Sequence, residues 1–245
     1  MKPTPTFLPD RAPLLAFGAH PDDIEFGCGG VIASEAQDGR AVHCVVCSRG
    51  EAATHGTPAQ RAREAKRAAK LLGATVEFVD LGGDAHIEAS VARTIKLAAI
   101  IRRIRPGFAL APSVVENQHP DHVALGRMVR DAARLARYGR IKELKRQPVH
   151  AIGQLLFYAV TPEAEPANLA RVLIDVSAPE VLSAWTAAMA AHVSQTQAHR
   201  YIELQLTRAR LYGLRCNVGH AMALFPNDPL RFDSLEQLGG AARRF

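Results

Sequence analysis

Short apolar runs alternate with longer amphipathic stretches through the first 140 residues, the pattern of repeated βα units. Leu14 to Gly18, Val42 to Cys47, Val76 to Leu81 and Phe108 to Ala111 read as strands. They are apolar nearly throughout, without polar alternation, as expected where helices cover both faces of a parallel sheet. The helices between them carry their own punctuation. Gly29 to Gln37 stops at Asp38-Gly39, and Thr57-Pro58-Ala59-Gln60 is a capping box that launches a helix through Leu72 to Gly73. Ser90 caps a helix to Arg105 that Pro106-Gly107 breaks, and Val123 to Tyr138 forms a fourth.

The pattern changes after Gly139. Ile152 to Val160 and Val172 to Val176 read as strands around a polar loop, Thr161 to Asn168. Ser177-Ala178-Pro179-Glu180 reads as a capping box for a helix toward Ala191, followed by a helix from Tyr201 to Leu211 and a last strand, Ala221 to Phe225. No repeat or linker divides the chain. The expectation is therefore one α/β domain over residues 1–245, Rossmann-like, with a mainly parallel sheet covered by helices on both faces. Residues 1–140 form its βα core, and 141–245 complete the sheet and one wall of the pocket.

The 245 residues carry a formal charge of +6. The basic residues are spread along helices, as in Arg61 to Lys70 and Arg127 to Lys145, with few aromatics among them, which argues for a solvated surface and against nucleic acid. No apolar run is long enough to insert stably in a membrane, and Met1 to Pro13 has proline and charge where a signal peptide needs an apolar core. Four cysteines then imply reduced thiols and a cytoplasmic protein. Cys44 and Cys47 have redox-motif spacing but sit in a strand, where side chains three apart face opposite ways, so they read as core.

Candidate chemistry falls where strands end. Ala19-His20-Pro21-Asp22-Asp23 follows the first strand, and His119-Pro120-Asp121-His122 follows the fourth. In such sheets ligands bind beyond the carboxyl ends of the strands, where strand order reverses. His20, Asp23 and His122 make a set of two imidazoles and one carboxylate that suits catalytic Zn²⁺ with an open position, although Fe²⁺ or another divalent ion fits the same donors. Pro21 makes the first pair a loop chelate. Asp22, beside the ligand Asp23, is the candidate general base for a water whose pKa the ion lowers toward roughly 7. His119, one turn before His122, is a candidate imidazolium partnered by Asp121 or another carboxylate. The turn Gly27-Cys28-Gly29-Gly30 allows close backbone approach to the cleft. His43, His55, His86, His150, His192 and His199 read as surface or packing residues, whereas His220, in the polar segment from Asn217, is placed to return to the cleft.

These two motifs, in this order, resemble the PIG-L/LmbE-like zinc N-deacetylases. Ser48-Arg49-Gly50-Glu51, Gly56-Thr57 and Arg61-Ala62-Arg63-Glu64 extend the resemblance, which covers residues 14 to 140 well and the remainder loosely. It implies a Rossmann-like hydrolase that removes acetyl from an N-acetylglucosaminyl group, with a small amino-sugar substrate and a homo-oligomeric assembly. His20, Asp23 and His122 would be metal ligands, Asp22 the base and His119 the acid or electrostatic partner. Arg61 would contact substrate, at an anionic aglycone, and His220 would line the pocket. Two departures stand out: Ile24 separates Asp23 from the next acid, and His220 stands where related deacetylases often carry Glu. Other readings of the same residues are a different metal-dependent amide or ester hydrolase, a non-haem iron enzyme, and a sugar- or nucleotide-binding module with a structural metal.

Overall fold

The computed structural model describes residues 11–116, 119–196 and 200–238. Strand β1 (Leu14–Gly18) leads through α1 (Asp23–Gln37) to β2 (Val42–Val46), and α2 (Pro58–Leu71) leads to β3 (Thr75–Phe78). Then α3 (Val91–Ile104), β4 (Phe108–Pro112), α4 (Pro120–Leu135) and β5 (Gln154–Tyr158) follow. The rest supplies β6 (Val172–Asp175), α5 (Pro179–Ala190), the one-turn α6 (Val193–Thr196), α7 (Tyr201–Cys216) and β7 (Ala221–Pro226). The seven strands form a sheet in the order β3-β2-β1-β4-β5-β7-β6. β1 to β5 are parallel, and β7 runs antiparallel to both of its neighbours.

The order reverses between β1 and β4, because the chain first builds outward through β2 and β3 and then crosses back. That crossover puts the β1 and β4 exits side by side. Alternate β1 residues feed two cores. Leu15 and Phe17 pack with Leu97, Ile101, Leu125 and Met128 on one face, whereas Leu14 and Ala16 pack with Ile24, Ile32, Trp185 and Met189 on the other. This is the helix-covered parallel sheet that the apolar strands predict.

The caps at Thr57 and Ser90 form as expected, with side-chain oxygens accepting from the N–H groups of Gln60 and Arg93 at 3.2 Å. Three local expectations are corrected. Helix α1 begins at Asp23 rather than Gly29, bending at Cys28 (φ −146°). Likewise α4 begins at Pro120 rather than Val123, because a proline at the first helical position comes with its φ already set. Ser177 does not cap α5; its hydroxyl donates to Asp175 Oδ1 at 2.5 Å instead. The glycine turn serves the core, not the cleft: a Cβ at Gly27 would lie 2.2 Å from Tyr158 Cδ2, and one at Gly29 would lie 2.6 Å from Trp185 Cδ1. Cys44 and Cys47 are buried in opposite cores, where burial pushes both thiols up.

Candidate active site

The end of β1 folds its backbone around one carboxylate. The N–H groups of Ala19 and His20 both donate to Asp23 Oδ2 at 2.8 Å, which fixes the side chain and leaves Oδ1 turned toward α4. His122, in the first turn of α4, places Nε2 3.0 Å from Asp23 Oδ1 and 3.3 Å from His20 Nδ1. His20 Nδ1 lies 3.5 Å from Asp23 Oδ2. The three predicted ligands thus converge from loops about a hundred residues apart.

His20 is oriented from behind. Its Nε2 lies 3.0 Å from Asp121 Oδ2 and 3.0 Å from Asp84 Oδ1, which turns the Nδ1 edge of the ring toward His122 and Asp23. Asp121 is itself held by the N–H groups of Ala85 (2.7 Å) and Ile87 (3.2 Å) in the β3–α3 loop. Burial works against a charged ring, but the carboxylates of Asp23, Asp121 and Asp84 outweigh it and raise the His20 pKa to about 12. Burial likewise opposes charge on Asp23, yet His122 and His20 hold its pKa well below the usual range.

These residues fit a divalent cation. Two buried ring nitrogens 3.3 Å apart, each beside the same carboxylate, compete for protons unless a cation takes their lone pairs. Donors about 2.0–2.1 Å from a tetrahedral ion stand roughly 3.3 Å from one another, within the spread observed here.

Asp22 caps α1 in a left-handed conformation, φ 115°. Its Oδ2 accepts from Arg61 Nη2 at 3.3 Å. Burial and then the Asp23 charge raise its pKa to about 6, against the opposing pull of Arg61. Arg61, only 4% exposed, also donates to the Pro21 carbonyl at 2.8 Å, and its Nη1 lies 3.8 Å from Asp84 Oδ2. Gly50 (φ +71°) lets the β2–α2 loop lie on the guanidinium; a Cβ there would be 1.9 Å from Nη1.

His119 is the residue before α4, and its Nδ1 accepts from the Asp121 N–H at 3.3 Å. The Asp121 carboxylate serves His20, and Asp84 also stands near His119: its oxygen and the ring nitrogens of His20 and His119 lie within 4.8 Å of one another. Burial and the charge on His20 lower the His119 pKa. Without an ion, this environment works against the imidazolium form.

A cavity of about 480 Å³ opens above these groups. Its floor is His20, Asp22, Asp23, Arg61, Asp84, His119 and His122; its walls are Phe26, Ala52 to Thr54, Val160, Thr161, Gln195, Tyr201 and Gln205. His220 is not among the lining residues. It lies two strands away, where its N–H donates to Ser177 Oγ and its carbonyl accepts from Val176. His192 is fully buried, with Nε2 3.4 Å from Glu25 Oε2, and His199 lies outside the described residues. Sequence reasoning missed Asp84 and the orienting role of Asp121. An acid in the glycine-rich loop after β3 was the available signal, at the same strand-end level as His20.

Residues 15–133 match the family described as PIG-L, GlcNAc-PI de-N-acetylase. That match spans just under half of the chain. It is 35% identical over 134 residues to the 4-oxalmesaconate hydratase of Pseudomonas putida, covering 50% of this chain and 52% of that protein. With the diacetylchitobiose deacetylase of Thermococcus kodakarensis it shares 28% identity over 162 residues, 61% of this chain and 60% of the relative. The chain therefore spans less than two thirds of the length of these curated relatives. The solved structure of GalB, the 4-carboxy-2-hydroxymuconate hydratase of P. putida, superposes with a TM-score of 0.75 at 25% identity, covering 91% of this chain and 99% of that one. Among the described residues no helix is long and apolar enough to cross a membrane.

Proposed function

We propose that this protein is a metal-dependent hydrolase that removes acetyl from the acetamido group of a small amino sugar. The observation that carries this reading is the carboxylate of Asp22, with a pKa of about 6, next to the His20, Asp23 and His122 donor set at the floor of an open cavity. A divalent ion, Zn²⁺ being the best match to two imidazoles and a carboxylate, supplies Lewis acidity at the acetamide carbonyl and acidifies water when bound. His20, Asp23 and His122 would hold it.

Asp22 accepts the proton of the attacking water. Its pKa near 6 leaves it ionised at neutral pH yet basic enough to take a proton, and Arg61 keeps the carboxylate from swinging away. His119, neutral and with Nδ1 occupied by the Asp121 N–H, offers Nε2–H to the developing oxyanion. The proton taken by Asp22 is then available to the departing amine. No covalent bond to the protein forms.

A second reading follows from the hydratase relatives, since the same base and donor set can add water to an unsaturated acid. The cavity argues for the acetamide. Among the described lining residues the only arginine or lysine is Arg61, already engaged by Asp22, the Pro21 carbonyl and Asp84, which leaves little to bind several carboxylates.

Zn²⁺-loaded protein tested against a panel of N-acetylglucosaminides should release acetate and a free amine detectable by mass spectrometry. Asp23→Asn should lose both metal and turnover. Absence of acetate from the whole panel, together with hydration of an unsaturated polycarboxylate, would replace this reading with the second.

A further inference from the structure

The opposite end of α4 carries a feature that the acetamide chemistry does not use. Arg130, Arg134 and Arg137 are spaced i, i+4 and i+7, which puts three guanidinium groups on one helical face. Together with Ile152, Leu155, Asn227 and Asp228 they line a hollow of about 170 Å³. It lies where β5 begins and β7 ends, at the end of the strands away from the His20 site.

Like charges at i, i+4 repel on an isolated helix. The carboxylates nearby do not cancel this set. Asp131 is shared, 3.7 Å from Arg130 Nε and 3.5 Å from Arg134 Nη1. Arg130 Nε is buried and makes no hydrogen bond, and Arg137 has no side-chain hydrogen bond or ion pair among the described residues. Asp228, the one acid in the lining, accepts from Asn227 Nδ2 at 2.9 Å. The negative helix end accounts for a cation in the last turn such as Arg134, but not for Arg130 a turn earlier in a partly enclosed hollow. The segment from Arg127 to Arg146 holds eight cations against two carboxylates, a surplus equal to the +6 of the whole chain.

We propose that this hollow is an anion site for a phosphate-class oxyanion, separate from the catalytic cavity. Arg130 and Arg137 would donate charge-assisted hydrogen bonds from one side, while Ile152 and Leu155 form a dry floor that strengthens them. The phosphate could come from a small solute or from a lipid headgroup, and the two sources are separable by experiment.

The metal-loaded protein would be titrated with inorganic phosphate by calorimetry at constant ionic strength set with sodium chloride. In parallel it would be co-sedimented with phosphatidylcholine vesicles containing phosphatidic acid. The wild type, Arg130→Gln/Arg137→Gln and the charge-matched Arg140→Gln/Lys145→Gln, outside the hollow, would be compared. Expected is binding that the first double variant weakens about tenfold or more, the loss of roughly 1.4 kcal/mol, and that the control retains. A response to free phosphate alone assigns a solute, and a response to vesicles alone assigns a headgroup. Equal weakening in both double variants, or no binding beyond chloride in either arm, overturns the proposal. Of the four residues changed, Arg137, Arg140 and Lys145 are exposed and Arg130 is half-buried, and circular dichroism would confirm that the variants fold.

Discussion

Neighbouring residues of one chemical type divide the work by their backbone surroundings. Asp23 accepts two N–H groups and faces two histidines, whereas Asp22, one position earlier, meets only Arg61 and the cavity. Asp22→Asn should therefore keep its metal and lose rate by about 10²–10⁴. In the wild type, log kcat/KM should fall below pH about 6, because protonation removes the base and the Asp22 pKa is raised from 3.8 to about 6. A rate flat down to pH 4.5 would exclude Asp22 as the titrating base. Arg61 changes the expectation drawn from sequence. An arginine gripping only a distant aglycone would affect KM alone, but this one holds Asp22 and the Pro21 carbonyl. Arg61→Ala should lower kcat by about tenfold or more, the loss of a charge-assisted contact, and steady-state kinetics will separate the two terms.

At the scale of elements, the glycines of α1 set how closely two layers approach. Gly27 lies against the ring of Tyr158, whose hydroxyl donates to the Phe17 carbonyl at 2.7 Å within β1. Gly27→Ala should destabilise the fold by about 1–3 kcal/mol through overpacking, measured by urea denaturation. It should also disturb the site, since the displaced helix begins at Asp23. The strands and most helices were legible because periodicity and caps are local. The first turns of α1 and α4 were not, because α1 starts at Asp23 within the first motif and α4 at Pro120 within the second, where motif chemistry masks the helical pattern.

For the whole molecule, the proposed ligands come from the β1 and β4 exits, so a bound ion would tie together the two strands at the switch in strand order. Ligand binding at 100 times Kd stabilises by about 2.7 kcal/mol. Chelation should then lower Tm by roughly 5–10 °C in a chain of this size, and re-addition of Zn²⁺ should restore it. An unchanged Tm in differential scanning calorimetry would mean that no ion bridges these loops. Metal binding should also release a proton, because His20 holds one up to a pKa of about 12 without the ion.

By itself the sequence determined the βα order, the helix-covered sheet and the two motifs that hold His20, Asp22, Asp23, His119 and His122. Those signals lie within a few residues of one another, as turns, caps and hydrophobic period do. Only the tertiary structure decided that the β1 and β4 exits are neighbours, that Asp84 and Asp121 contact His20, and that Arg61 holds Asp22. It also turned β7 antiparallel, set His220 outside the cavity and turned the α1 glycines into the core. Each of these depends on which distant segments the crossovers bring together, and a contact between residues a hundred positions apart leaves no local pattern to read.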